Sequence, residues 1–388
     1  MSELLNGRWA ETKEALLEGL QGTKKSVMGV TLENTRKYLM ESPTAGATSA
    51  GNVATLNRVI LPVIRRVMPT VIANELVGVQ PMTGPVGQIH TLRVRYADSS
   101  TNAGVTAGEE ALSPFKIAEG YSADSTGRAV STATLEGAAG KRMSIQILKQ
   151  TVEARTRKLS ARWTFEAAQD AQAQQGIDIE AEVMAALAQE ITAEIDQEIL
   201  ASLGSLAGTA TEAYDQAAVS GTATFVGDEH AALAVQINRV SNLIAQRTRR
   251  GAGNWAVVSP FALTILQSAT TSAFARTTEG TFEAPTNTKF VGTLNGAMKI
   301  YVNTYALDTT DILIGYKGSS ESDAAAFYCP YIPLMSSGVV LDPSTFEPVV
   351  SFMTRYGYVE LTNTASSLGN AADYLGTVVV TSNQLKFS

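Results

Sequence analysis

Two histidines, His90 and His230, and one cysteine, Cys329, are the only imidazoles and the only thiol in this chain. Proton transfer near neutral pH draws on histidine first, so this scarcity weighs against acid–base catalysis. His90 lies in the alternating run QIHTLRVRY, flanked by Ile and Thr, and His230 in DEHAA, which reads as an acidic loop; each reads as a structural or solvated side chain. Cys329 sits in the apolar run AAFYCPYIPL, where it reads as a small buried side chain, and a lone cysteine excludes an intrachain disulfide or a multi-cysteine metal site. Gly251 and Gly253 of RRGAGNW lack the second half of a dinucleotide fingerprint, no phosphate-binding GxxxxGK[ST] loop occurs, and the pair reads as a tight turn. Arg247, Arg249 and Arg250 before it form a short basic cluster of the kind that lies on a solvated face or a subunit contact.

One row of carboxylates does have a chemical spacing. Glu190, Glu194 and Glu198 follow one another at i, i+4 and i+8, on one face of a helix. Hard cations take ligands that converge from several elements, and no histidine joins the row, so neither a metal nor a cofactor is expected. As a bare helix face the row is strained, because each like-charged i, i+4 pair costs about 0.2–0.5 kcal/mol. Asp196 and Glu198 also fall toward the negative end of the expected helix dipole. Just before this helix, TVEARTRKLSARW carries Arg155, Arg157, Lys158 and Arg162, after which no Lys or Arg occurs until Arg239. So one-sided a block calls for countercharge from elsewhere in the fold or from another copy. Solvent competes with two other compensations. Basic side chains such as Lys141, Arg142, Arg155, Arg157 and Lys158, of the same or a neighbouring subunit, could lie against the acidic face. Alternatively the face could look toward a nucleic acid that is enclosed without being gripped. These five basic residues, with Glu190, Glu194 and Glu198, are the candidate intersubunit contacts.

The composition narrows the function classes further. With 388 residues, 45% hydrophobic and 17% charged, the chain is long enough to bury a sizeable core. A net charge of −7 and a pI near 5.1 argue against tight binding to phosphate backbones. The start, MSELLNGRWAETKEALLEGL, is charged and amphipathic rather than a secretory leader, which leads to an expectation of assembly in the cytoplasm. The most apolar run begins at Val59 and is broken by Pro62, Arg65, Arg66 and Pro69, so no membrane span is expected.

The elements that must position these residues follow from periodicity. Residues 1–40 are helical in pattern, with Trp9, Leu16, Leu17 and Leu20 as an apolar stripe, and the linker SPTAGATSAGN follows. QIHTLRVRY alternates as a strand, and Ala97–Gly140 is too rich in Ala, Ser, Thr and Gly to build a core, which suits an extended loop or hairpin. Ile179, Val183, Leu187, Ile191, Ile195 and Ile199 predict one long helix over about 177–203, capped by Asp178 and ended by Gly204. Helix, strands and Gly-rich turns alternate irregularly from Gly227 to Gly338, and the tail after Val339 reads as strands; the fold class is α+β.

Several longer runs carry a resemblance. GVQPMTGPVGQIHTLRVRY, VEARTRKLSARWTFEAAQDAQAQQGIDIEAEVMAALAQEITAEID, RRGAGNW, FVGTLNGAMKIYVNTYA, IGYKGSSESDAAAFYCPYIPL and FEPVVSFMTRYG span most of residues 76–357. In this order they resemble the major capsid proteins of T4-like tailed bacteriophages. The resemblance implies an HK97-like capsid fold: an N-terminal arm over 1–85, an E-loop region over 86–150, a P-domain over 151–226 and 339–388 with the long helix as its spine, and an A-domain over 227–338. It further implies a non-enzymatic protomer forming hexamers, and possibly pentamers, of an icosahedral or prolate shell around double-stranded DNA. Vertex and portal proteins, a scaffold, a prohead protease and decoration proteins would be its partners. Leu16-Leu17-Glu18 fits the Leu/Ile-x-Glu pattern after which relatives are trimmed, making Glu18 the candidate protease site. The short segments between the matching runs imply that the extra domain some relatives carry in the E-loop region is missing. Lys116 is the sole loop lysine available for the Lys–Asn crosslink known in the wider fold, and no pattern in the sequence supports that crosslink. The alternative within the same fold is a nanocompartment shell of the encapsulin type, which would enclose a cargo enzyme.

Overall fold

The structure is a computed structural model that describes Trp9, 13–14, Leu17, 22–41, 72–109, Ala111, 120–124, 126–137, 139–175, 178–208, 211–215, 226–248, 250–269, 274–276, 288–305, 311–321, 323–345, 347–362 and 370–380. Glu18, Lys116 and Arg249 lie outside the described residues. The helices are α1 (Gly22–Glu41), α2 (Ala73–Leu76), α3 (Thr132–Leu135), α4 (Phe165–Gln175), α5 (Ile179–Ala207), α6 (Val226–Thr248) and α7 (Pro260–Ser268). The strands are β1 (Gly78–Val79), β2 (Val86–Tyr96), β3 (Met143–Glu153), β4 (Arg155–Arg162), β5 (Glu212–Tyr214), β6 (Trp255–Val258), β7 (Phe274–Arg276), β8 (Thr288–Leu294), β9 (Met298–Asn303), β10 (Asp311–Gly315), β11 (Ala326–Ser336), β12 (Val340–Leu341), β13 (Pro348–Glu360) and β14 (Leu375–Val380).

Helix α5 forms because its branched residues recur every four positions and bury one stripe: Leu187, Ile191, Ile195, Ile199 and Leu203 are all in the core. Asp178 caps it as its spacing predicts, its side chain accepting from the Glu180 N–H at 3.0 Å. The predicted end at Gly204 is overrun. The helix continues to Ala207 and stops at Gly208, whose φ of 70° is open to glycine and disfavoured for other residues. A single Gly is tolerated inside a helix when the next turn still packs, and Leu206 and Ala207 pack against the core.

Two sheets flank this helix in one continuous core. In the seven-stranded sheet, ordered β5-β14-β10-β6-β9-β8-β7, successive residues point to opposite faces. Trp255, Val257, Tyr301 and Leu313 join the cluster that contains α5, whereas Ala256, Val258, Ile300, Val302, Ile312 and Ile314 join a second cluster under α6 and α7. The sheet is therefore buried on both sides in its middle, which accounts for runs such as WAVV with no polar alternation. The second sheet, β1-β11-β13-β12 with β4 along β13, contributes Phe327, Leu334, Val350, Phe352 and Tyr356 to the α5 cluster. Met28 and Leu32 of α1 join the same cluster, and Asn34 donates to the Met82 and Tyr331 carbonyls at 2.6 and 3.1 Å.

Strand pairing joins residues from both sides of residue 338 in each sheet. Ala326–Ser336 pairs along β13 in the five-stranded sheet, and Leu375–Val380 lies between β5 and β10 in the seven-stranded one. Sheet partners are chosen by long-range burial, to which order along the chain is blind. Ala97–Gly140, the segment expected to lack a core, joins the two strands of a ribbon, β2 against β3 from Val86↔Glu153 to Tyr96↔Met143. At its end Tyr96, Ala103, Val105 and Ala111 form a small apolar cluster, with the Tyr121 ring tilted against that of Tyr96 at a centroid distance of 4.5 Å. His230 is not in a loop. It lies in the first turns of α6, fully buried, with Nδ1 bonded to the Ser268 hydroxyl.

Candidate functional site

The acidic face of α5 meets the basic strand β4 within one chain. Alternation along β4 turns Arg157, Leu159 and Ala161 toward α5 and exposes Lys158, Ser160 and Arg162 on the other face. From that position Arg157 spans two turns of the helix: Nη1 donates to Glu194 Oε2 at 2.7 Å, and Nε donates to Glu198 Oε2 at 3.2 Å. Its second terminal nitrogen also bonds Glu198 Oε2. Tyr356, across the strand pair from Arg155, closes the cluster: its hydroxyl accepts from Arg157 Nε at 2.6 Å and donates to Glu198. A planar guanidinium with fixed donors suits two carboxylates one turn apart.

Electrostatics follow the geometry. Desolvation pushes the Glu198 carboxyl up, yet hydrogen bonds from Tyr356 and Arg157 outweigh it and hold the group below the usual glutamate range. The like-charge strain read from the sequence is thus relieved at Glu194 and Glu198 by one arginine. Glu190 is different: it is exposed and has no ion pair among the described residues. Asp196, expected near the dipole's negative end, sits roughly three turns before the helix terminus and points into the core instead.

The remaining basic candidates lie apart from this cluster. Arg142 pairs with Asp98 at 3.0 Å and Lys141 donates to the Ser99 carbonyl at 2.6 Å, both at the far end of the ribbon. Arg155 and Lys158 are exposed on β4; of the two, Arg155 acts on the charge of Glu198. Arg250 pairs with Asp323 at 2.7 Å, fixing the turn whose Gly251 lies against the Tyr316 ring. Tyr356 and Asp98 escape sequence reasoning, because nothing local to FMTRYGYVE or YADSS announces a partner on another element. Among the described residues no group of three His, Cys, Asp or Glu side chains converges as a metal ion would require. Burial pushes the Cys329 thiol up to about 12, which leaves it inert near neutral pH. No described helix is long and apolar enough to cross a membrane.

This arrangement binds one element of the chain to another. The model of the Major capsid protein Gp23 family matches residues 53–385. The chain belongs to that family. The major capsid protein of Vibrio phage KVP40 is 30% identical over 84% of this chain and 81% of its own length. That of Enterobacteria phage T4 is 29% identical over 81% and 76%. Among solved structures, a chain from Microbacterium phage Oxtober96 gives a TM-score of 0.47 at 11% identity, covering 80% of this chain and 90% of that one. One from the capsid of Myoviridae phage XM1 gives 0.45 at 12%, covering 80% and 92%. As a Gp23-family protein the chain is a non-enzymatic component of the virion. It assembles with copies of itself into the phage head shell.

Proposed function

We propose that this capsid protein builds its shell as an HK97-like protomer. In this reading α5 is the spine helix of a P-domain completed by β4, β11, β12 and β13. The β2–β3 ribbon and the segment between its strands form the E-loop. The seven-stranded sheet with α6 and α7 forms the A-domain, and α1 with residues up to about 85 forms the N-terminal arm. Protomers group as hexamers, with pentamers of the same chain or of a paralogue at the vertices. The shell encloses double-stranded DNA without reading its sequence, consistent with a net charge of −7. Vertex and portal proteins, a scaffold, decoration proteins and a prohead protease acting after Glu18 complete the assembly. An intact mass beginning at Met1 or Ser2 in mature particles would remove the cleavage.

The observation that carries this reading is the outer face of the ribbon. Met143, Ile145 and Ile147 alternate along β3 and are 54%, 69% and 66% exposed. A two-stranded ribbon is marginal in water on its own, and an apolar row left open on it is a contact surface. A neighbouring copy is the cover that a self-assembling shell supplies. Ile145→Asp combined with Ile147→Asp is expected to leave the protomer's thermal stability nearly unchanged and to abolish closed particles. Normal particle yield from that variant would overturn the assignment.

A further inference from the structure

Residues 72–82 form a strap that touches α5 and both sheets. The Ile72 N–H donates to Asp196 Oδ1 of α5 at 2.9 Å. Glu75 accepts from Lys299 and from the Tyr301 hydroxyl of β9, each at 3.4 Å, which ties the strap to the seven-stranded sheet. Lys317 reaches the Asn74 carbonyl at 2.8 Å, and Glu321 accepts from the Val79 N–H at 2.9 Å. Beyond these, β1 runs parallel to β11, and Gln80 and Met82 donate to the Tyr328 and Pro330 carbonyls at 3.0 Å. Gly78 makes the approach possible, since a Cβ there would lie 2.2 Å from the Glu321 carbonyl oxygen.

Asp196 is the unusual member of this set. It is 1% exposed, and the Ile72 N–H is its one hydrogen-bond partner among the described residues. The ionisable groups on neighbouring elements are engaged elsewhere. Arg157 of β4 and Tyr356 of β13 serve Glu194 and Glu198, Glu75 of the strap faces Lys299 and Tyr301, and Asp373 beside β14 closes the capping box at Asn370. Tyr328 of β11 and Cys329 are buried and neutral near pH 7, so neither supplies a positive charge.

We propose that Asp196 and Ile72 form a proton-operated clasp: protonated, the carboxyl holds the strap closed across α5 and both sheets, and ionised, it drives the strap open. In the neutral form one oxygen carries the proton while Oδ1 still accepts from Ile72. Once charged, the group has a single amide to offset a dry surrounding, and opening the strap lets water reach it. Burial pushes this carboxyl up to about 7 in the closed state, against the partial opposition of the Ile72 N–H. The closed state therefore keeps a proton that the open state releases. Opening becomes more favourable as pH rises from the ordinary aspartate value to about 7, by roughly tenfold per pH unit, and levels off above that.

The test is hydrogen–deuterium exchange on the full chain in assembled particles at pH 5 and pH 8, corrected for intrinsic exchange and read at the amides of Ile72, Leu76, Val79, Gln80 and Met82. The wild type should open at least tenfold more at pH 8, while amides of the β2–β3 ribbon keep the same protection. Asp196→Asn preserves the acceptor and removes the titration, so its strap should stay protected at both values. Equal corrected protection of the wild-type strap at pH 5 and pH 8 would overturn the clasp. So would an undiminished pH dependence in Asp196→Asn, which would assign the effect to another group such as His230.

Discussion

At the scale of single residues, Arg157 separates two roles that the basic run Arg155–Arg162 leaves mixed. Its guanidinium is 32% exposed and held by two carboxylates and a phenol, so it acts within the protomer. Arg157→Ala leaves Glu194, Glu198 and Tyr356 facing one another and is expected to lower protomer stability by about 1–2 kcal/mol, a value discounted for partial exposure. The pH dependence has a definite sign. Glu198 is held below the ordinary glutamate range when folded, so its contribution is present above that range and is lost as pH falls through the folded value. The gap between wild type and Arg157→Ala should therefore narrow in acid. Thermal melts across acid and neutral pH check this, and a gap that is constant down to strong acid would contradict it.

At the scale of elements, β4 is an edge strand whose two faces have different work: Arg157 faces α5, and Lys158 with Arg162 faces outward. Reversing Lys158 to Glu should therefore impair assembly while leaving protomer melting within about 0.5 kcal/mol of wild type, as for other exposed charges. Particle yield against protomer stability reads the difference, and normal yield would sink the idea that this charge meets a neighbour. Much of the element pattern was legible in the sequence, because burial imposes a period: the isoleucines of α5 and the alternation of QIHTLRVRY each mark one face. The acid–base complementarity was legible as an imbalance between Arg162 and Arg239. What resolved it was not, since Arg157 meets Glu194 and Glu198 only after β4 pairs with β13, with Tyr356 coming from the far end of the chain. Nor was the place of β14, whose partners β5 and β10 are distant in sequence. Asp196 had a weak local signal, four residues from Thr192 and Leu200 on a buried flank, but its partner is a backbone amide at Ile72 that no side-chain pattern reports.

At the scale of the whole molecule, the protomer divides its surfaces between internal and external use. The α5 cluster joins both sheets and α1 into one core, the strap 72–82 ties the same parts by polar contacts, and the ribbon carries an apolar face with nothing of its own chain over it among the described residues. Individual exposed charge pairs contribute only about 0–1 kcal/mol, so a shell built from such surfaces draws its stability from many repeated weak contacts. This behaviour fits a family whose members make phage heads and has no use for a reacting site. Electron microscopy of the expressed full chain tests the central claim most directly. Closed shells or ordered capsomer sheets are the predicted result; a monodisperse monomer under every assembly condition would contradict it.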